Sequence, residues 1–190
     1  MITLIITDCQ NDYLTGTMMI KGAKNKLEEI KKFIKTHRKD IDKIIFTVEW
    51  HPYNHMSFKR YGGKYPHHCI QFTPGACIEP KFLKYVQSLE IDYEVSTRGE
   101  IEELEQPGAF SDIDFVTDEL GQRYYFDSLV TVDANTLFVI CGVLDAMSYT
   151  INNLIKENIY PSVYVPGVIS DKGDDYIKQF LESNKLNEVL

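Results

Sequence analysis

Apolar and polar positions fall in blocks along this chain, and the blocks switch between two periods. Residues Ile2–Thr7 form a continuous apolar, β-branched run, the pattern of a strand buried on both faces. Residues 22–36 place Leu27, Ile30, Phe33 and Ile34 at helical spacing with lysines and glutamates between them, which predicts an amphipathic helix. The run Lys43-Ile44-Ile45-Phe46-Thr47-Val48 predicts a second strand over 42–49. Residues 80–89 read as a helix and 93–96 as a short strand. Residues 112–122 read as a helix or an irregular connection, and 124–134 as strand or the end of a helix. The clearest interior strand is 136–141, followed by Gly142, a helix over 146–157, a strand over 162–165 and a last helix over 174–183.

Strands alternating with helices predict parallel pairing through right-handed crossovers. The expected fold class is α/β: a three-layer α/β/α sandwich around a doubly wound, mainly parallel sheet. Such sheets bind ligands beyond the carboxyl ends of their strands, and the polar residues of this pattern fall there. Asp8 closes the first strand, Glu49 and His51 close the second, Arg98 follows the third, and 142–148 turns from a strand into a helix start. With no internal repeat and no low-complexity stretch, the polar run 100–106 reads as a loop, and one domain over residues 1–190 is expected.

Composition narrows the classes. The chain has 190 residues, 44% hydrophobic and 25% charged, which fits a globular domain with a sizeable core. A net charge of -8 argues against nucleic-acid or anionic-membrane partners. The basic residues within 21–43 are mixed with acidic ones, as on a solvated helix face. Residues 2–6 are too few to cross a bilayer, and no leader segment is expected. Cys9, Cys69, Cys77 and Cys141 are scattered without Cys-x-x-Cys spacing and read as reduced thiols of a cytoplasmic protein, with Cys69 and Cys77 expected to be buried.

The candidate chemistry centres on Glu49-Trp50-His51-Pro52-Tyr53-Asn54-His55, read with His68-Cys69. Three of the five histidines and a carboxylate would crowd one place. Imidazole and carboxylate together suit a divalent metal such as zinc, iron or manganese.

Five segments then occur in order: Asp8-Cys9-Gln10-Asn11-Asp12-Tyr13; Trp50-His51-Pro52-x-Asn54-His55-x-Ser57-Phe58; His68-Cys69-x-Gln71-x-Thr73-Pro74-Gly75-Ala76; Gly108-Ala109-Phe110; and Gly142-Val143. Together they resemble the nicotinamidase/pyrazinamidase group of the isochorismatase-like cysteine hydrolases. That resemblance implies hydrolysis of nicotinamide to nicotinate and ammonia through a thioester, with an Asp, Lys and Cys triad and a metal that binds the ring nitrogen. Carried over, Asp8 is the acidic triad member. Glu49, His51 and His68 are the metal ligands, with His55 as a fourth candidate. Tyr13 and Trp50 stand in ring-pocket positions, and Val143 and Leu144 lie in the turn beside the substrate. The implied partner is a small amide or heteroaromatic ligand, and the family suggests a homo-oligomer.

The departures fall on the reacting groups. The family lysine is Arg98, its cysteine is Ser148, its metal aspartate is Glu49, and Phe72 replaces a glycine. A serine hydroxyl needs a well-placed base. Arg98, permanently charged, is expected to hold Asp8 ionised and lower its basicity. Asp8, Arg98 and Ser148 therefore read as a hydrogen-bonded structural cluster rather than a working triad. Ser148 is expected near a helix N-terminus, where backbone N–H groups can face an oxyanion or the serine can cap the helix. Three readings stay open: an amidohydrolase using Ser148 or a metal-bound water, a non-catalytic relative that binds a heteroaromatic ligand or a partner protein, and a serine hydrolase of changed substrate.

Overall fold

The computed structural model describes residues 1–110 and 136–189, together with the backbone of two short strands between them. Its strands are β1 Ile2–Thr7, β2 Ile41–Glu49, β3 Asp92–Arg98, β4 Val116–Thr117, β5 Arg123–Tyr124, β6 Leu137–Val143, β7 Ser162–Ile169 and β8 Glu188–Val189. Its helices are α1 Asn11–Leu14, α2 Ala23–Thr36, α3 Pro80–Ser88, α4 Leu144–Lys156 and α5 Asp174–Asn184. Six strands form one sheet in the order β3-β2-β1-β6-β7-β8, and each neighbouring pair runs parallel. The winding reverses between β1 and β6, which opens a crevice at their carboxyl ends.

Alternation along the strands builds two cores. Leu4, Ile6, Ile44, Phe46, Val139 and Cys141 face α2 and α3. Ile5, Ile45, Ile140, Val163 and Val168 face α4 and α5. Both faces of the central strands are therefore covered, which is why their sequences are mostly apolar and do not alternate with polar residues. The three-layer doubly wound α/β fold is as expected.

Several boundaries differ from the expectation, and two of them matter for the site. β3 extends to Arg98, so that residue ends a strand instead of lying in a loop, and it pairs in register with Glu49. Helix α4 begins at Leu144, two residues earlier than its pattern predicts. β7 also continues past Pro166. The register of β6 and β7 jumps from Ile140↔Val163 to Gly142↔Val168, and this bulge tolerates a residue without an N–H. The stretches 112–122 and 124–134 lie outside the described residues, apart from the antiparallel pair β4 and β5. Among the described residues, no helix is long and apolar enough to cross a membrane.

Candidate metal centre and cavity

Asp8 follows the last residue of β1 with φ 52, a left-handed backbone that is uncommon outside glycine. The turn leaves its carboxylate buried against the end of β3. Arg98 Nη1 donates to Asp8 Oδ1 at 2.7 Å and Nη2 to Oδ2 at 2.6 Å, a bidentate pair, and Nη2 also reaches Glu49 Oε1 at 3.2 Å. Arg98 is only 2% exposed. Burial is the larger influence on Asp8 and pushes its pKa up to about 6, although the Arg98 charge pulls it down. Arg98 alone was expected to lower the basicity of Asp8; desolvation reverses the sign. Both Asp8 oxygens are nonetheless engaged by the guanidinium.

Glu49, at the end of β2, is clamped at its backbone by Gln10. The Gln10 amide donates to Glu49 O at 2.7 Å and accepts from Glu49 N at 2.9 Å. The Glu49 Oε2 atom receives the Tyr13 hydroxyl at 2.7 Å and lies 3.0 Å from His68 Nε2 and 3.6 Å from His51 Nε2. Burial pushes Glu49 up, but Arg98 and the two imidazoles overcome it and hold the carboxyl well below the usual range. His68 is raised: burial opposes its charge, and the hydrogen bond to Glu49 more than offsets it.

The two rings are oriented by backbone carbonyls. His51 Nδ1 lies 2.9 Å from Gly99 O, and His68 Nδ1 lies 2.9 Å from Pro66 O. A carbonyl only accepts, so each Nδ1 carries the proton and each Nε2 turns toward Glu49. Such outer partners are characteristic of metal-ligating histidines. The Glu49, His51 and His68 donor atoms lie within 4.8 Å of one another, in a buried group. Ligand bonds of about 2.0–2.1 Å in a tetrahedral zinc site place donors roughly 3.3 Å apart, between the two separations seen here. The donor set fits zinc, iron or manganese.

Two neighbouring loops support this group. Gly99 has φ +69, and a Cβ there would meet His51 Cε1 at 2.4 Å and Nδ1 at 2.6 Å. Asp12 Oδ2 accepts from Cys69 N at 2.7 Å and fixes the loop that presents His68. Among these supports, the Asp8–Tyr13 segment was legible as a motif; no pattern in the sequence marks Gly99 as the residue that admits His51.

Other candidate residues stand elsewhere. His55 lies outside this donor group: Nδ1 pairs with Ser57 Oγ at 2.8 Å and Nε2 donates to Leu104 O at 3.0 Å, so both ring nitrogens are engaged away from Glu49. Tyr13 does line the cavity, and so does Val143. Trp50 is half-buried and packs edge-on against Phe72, and Leu144 lies in the core beneath α4; neither lines the cavity. Ser148 is the fifth residue of α4, and its hydroxyl donates to Asp145 O at 2.7 Å. It is neither the helix cap, which is Val143, nor a partner of Asp8 or Arg98 among the described contacts, because α4 starts earlier than expected. The Asp8–Arg98 part of the expected cluster stands without it. Cys77 is exposed, whereas Cys69 is buried as expected.

A cavity of about 510 Å³ opens over the metal group. Glu49, His68 and Arg98 lie on it, and Ala146, from the first turn of α4, faces it. Tyr65 and Tyr149 add aromatic wall, both partly exposed. No cysteine or serine lines it among the described residues. Its volume fits a small-molecule site.

Known proteins share this fold. No protein-family model matches the chain. The nicotinamidase of Saccharomyces cerevisiae is 24% identical over a match spanning 58% of this chain and 62% of that protein. Its structure superposes with a TM-score of 0.80 at 20% identity, covering 100% of this chain and 99% of that one. The same enzyme bound to the inhibitor nicotinaldehyde superposes with a TM-score of 0.78. The pyrazinamidase of Pyrococcus horikoshii, in complex with zinc, reaches 0.75 at 22% identity over 99% of this chain and 98% of that one. An isochorismatase-like hydrolase from Alkaliphilus metalliredigens reaches 0.69 at 16% identity over 99% and 93%. The chain thus has the isochorismatase-like hydrolase fold, and its structural neighbours include nicotinamidases and pyrazinamidases.

Proposed function

We propose that this chain is a nicotinamidase/pyrazinamidase-related member of the amidohydrolases that has lost the thiol step and holds a small heteroaromatic amide at a divalent-metal site. The observation that carries this reading is the contrast within one cavity. The donors Glu49, His51 and His68 converge with the two imidazoles oriented, while the first turn of α4 offers that cavity only Ala146 and Asp145, the latter paired with Lys172 at 2.8 Å. A methyl group cannot attack a carbonyl, and Ser148 is turned to Asp145 O. Asp8 cannot readily serve as a base while both its oxygens accept from Arg98.

A bound divalent ion would supply a Lewis acid suited to a ring nitrogen. The chain's own groups do the rest. Arg98 bridges Asp8 and Glu49 and offsets part of their combined negative charge. Tyr13 holds the orientation of Glu49 Oε2. Tyr65 and Tyr149 offer faces against which a flat ring can pack. The zinc of the pyrazinamidase neighbour and the nicotinaldehyde of the yeast enzyme support the ligand class.

The test is calorimetric titration of nicotinamide and pyrazinamide into zinc-loaded and zinc-stripped protein, with ammonia release followed in parallel. The expected result is zinc-dependent binding with ammonia release at background. Rapid release that disappears in Ser148→Ala would overturn it in favour of a serine hydrolase. Introducing a thiol separates the two helix positions: in Ala146→Cys the new thiol should be shielded from alkylation by bound ligand, and in Ser148→Cys it should not.

A further inference from the structure

The cavity contains a carboxylate that neither the metal group nor the Asp8–Arg98 pair uses. Glu105 lies in the loop after β3 and lines the same cavity as Glu49, His68 and Arg98. Its backbone is fixed on both sides by the scaffold of the metal centre. The preceding carbonyl, Leu104 O, accepts from His55 Nε2 at 3.0 Å. The following side chain, Gln106, accepts from Gly99 N at 2.8 Å. His55 and Gly99, which bracket the His51 ring, therefore also hold the loop that presents Glu105. Its carboxylate makes no hydrogen bond or ion pair among the described residues, and it is open to the cavity solvent.

The other charges around the cavity are mostly committed. Arg98 spends both terminal nitrogens on Asp8 and Glu49. Asp145 pairs with Lys172 at 2.8 Å. Lys21 lies on the exposed rim. Asp171, like Lys21, is exposed and carries no ion pair among the described residues, but it follows β7 and is not held by the scaffold of the metal centre. Among the uncommitted charges, the one whose loop is tied to His55 and Gly99 is thus an acceptor, Glu105. A carboxamide presents two N–H donors to such a group, whereas the corresponding acid presents a second negative charge. Burial raises the Glu105 pKa and the His51 ring opposes it, in keeping with a place beside the metal group.

We infer that Glu105 is the specificity-determining residue of the cavity: it accepts from the amide nitrogen of an N-heteroaromatic carboxamide and repels the matching carboxylate. This rests on the heteroaromatic reading of the pocket and adds which of the two chemical forms the pocket retains. A hydrogen bond to a charged acceptor, together with like-charge repulsion of the acid, corresponds to a preference of about tenfold or more for the amide.

The experiment compares nicotinamide with nicotinate by calorimetry at pH 8, using zinc-loaded wild type, Glu105→Gln and the control Glu102→Gln. Glu102 is exposed in the same loop and does not line the cavity. Zinc content and thermal unfolding of each variant establish an intact fold. The expected result is amide preference in wild type and in Glu102→Gln, shrinking to within about threefold in Glu105→Gln, largely through tighter nicotinate binding. Equal affinities in wild type, or a preference that survives Glu105→Gln, would overturn the role of Glu105 while leaving the pocket reading intact. Binding of neither molecule to zinc-loaded wild type would overturn the pocket reading and this role with it.

Discussion

Replacing Gly99 by alanine tests whether the metal centre depends on a backbone position that touches no metal. Two costs add. The residue has φ +69, where an L side chain is disfavoured by about 1–2 kcal/mol. The new Cβ would also lie 2.4 Å from His51 Cε1 and 2.6 Å from Nδ1, closer than carbon atoms pack. Relief requires the ring to retreat by on the order of 1 Å, since non-bonded carbons rest near 3.5 Å. His51 has little room for this, because its ring lies against His55 with centroids 4.2 Å apart and against Phe58 at 5.6 Å. Movement would also break the Nδ1 contact with Gly99 O that sets the tautomer. Loss of such an outer partner costs roughly 10- to 100-fold in metal affinity. Zinc dissociation constants from competition with a chromophoric chelator measure this directly. The matched control is Gly62→Ala, which has φ +93 but nothing within 4 Å of the added Cβ. It shares the backbone cost without the clash, so its zinc affinity should equal wild type. A Gly99→Ala protein that binds zinc within about threefold of wild type would refute the supporting role argued for this carbonyl and this turn.

Further outcomes follow from the same contacts. Arg98→Met should lower unfolding free energy in urea by about 3–5 kcal/mol, because it strands the buried Asp8 carboxylate and removes one partner of Glu49; a loss under about 1 kcal/mol would show that the pair is dispensable. His68→Ala should abolish stoichiometric zinc binding, whereas His55→Ala should retain the metal and lose stability; zinc content by mass spectrometry after dialysis distinguishes them, and metal loss in His55→Ala would return it to the ligand set. The His68 pKa is raised in the folded metal-free protein, so its contact with Glu49 is fully stabilising below the ordinary histidine value of 6.5 and is lost as pH rises through the folded value. The melting temperature of chelator-treated protein should therefore fall above that pH, more than in His68→Gln, and parallel curves would count against the contact. Zinc must displace the same proton, so binding near neutral pH should release protons, read as a dependence of apparent enthalpy on buffer ionisation.

Much of the fold was legible because burial on two faces leaves a plain trace. Ile2–Thr7 is β-branched or leucine throughout and the β6 run has no polar side chain, and such runs, alternating with amphipathic helices, specify a covered parallel sheet. The metal group was legible for a related reason: β2 ends at Glu49, so Glu49 and His51 had to emerge together at a carboxyl edge. The placement of His55 was not legible. Residues 51 and 55 are close in sequence, but only the loop reaching Leu104 O decides where the His55 ring nitrogens are spent. The same holds for the nucleophile position. A one-dimensional match puts Ser148 in the cysteine slot, yet in the structure α4 begins at Leu144, two residues after Gly142, whose backbone with φ +109 lies against Thr7 of β1. Starting the helix at Leu144 rotates Ala146 into the cavity and leaves Ser148 outside it.

By itself, then, the sequence determined the elements, the strand ends at which chemistry gathers, and the residue types available for a divalent metal. Those depend on local periodicity and on composition, which a linear chain displays. The tertiary structure decided which donors converge, that Asp8 is occupied by Arg98, and that Glu105 stands uncommitted beside the metal group. Those depend on strand register, helix phase and desolvation, which exist only once segments distant in sequence are packed together.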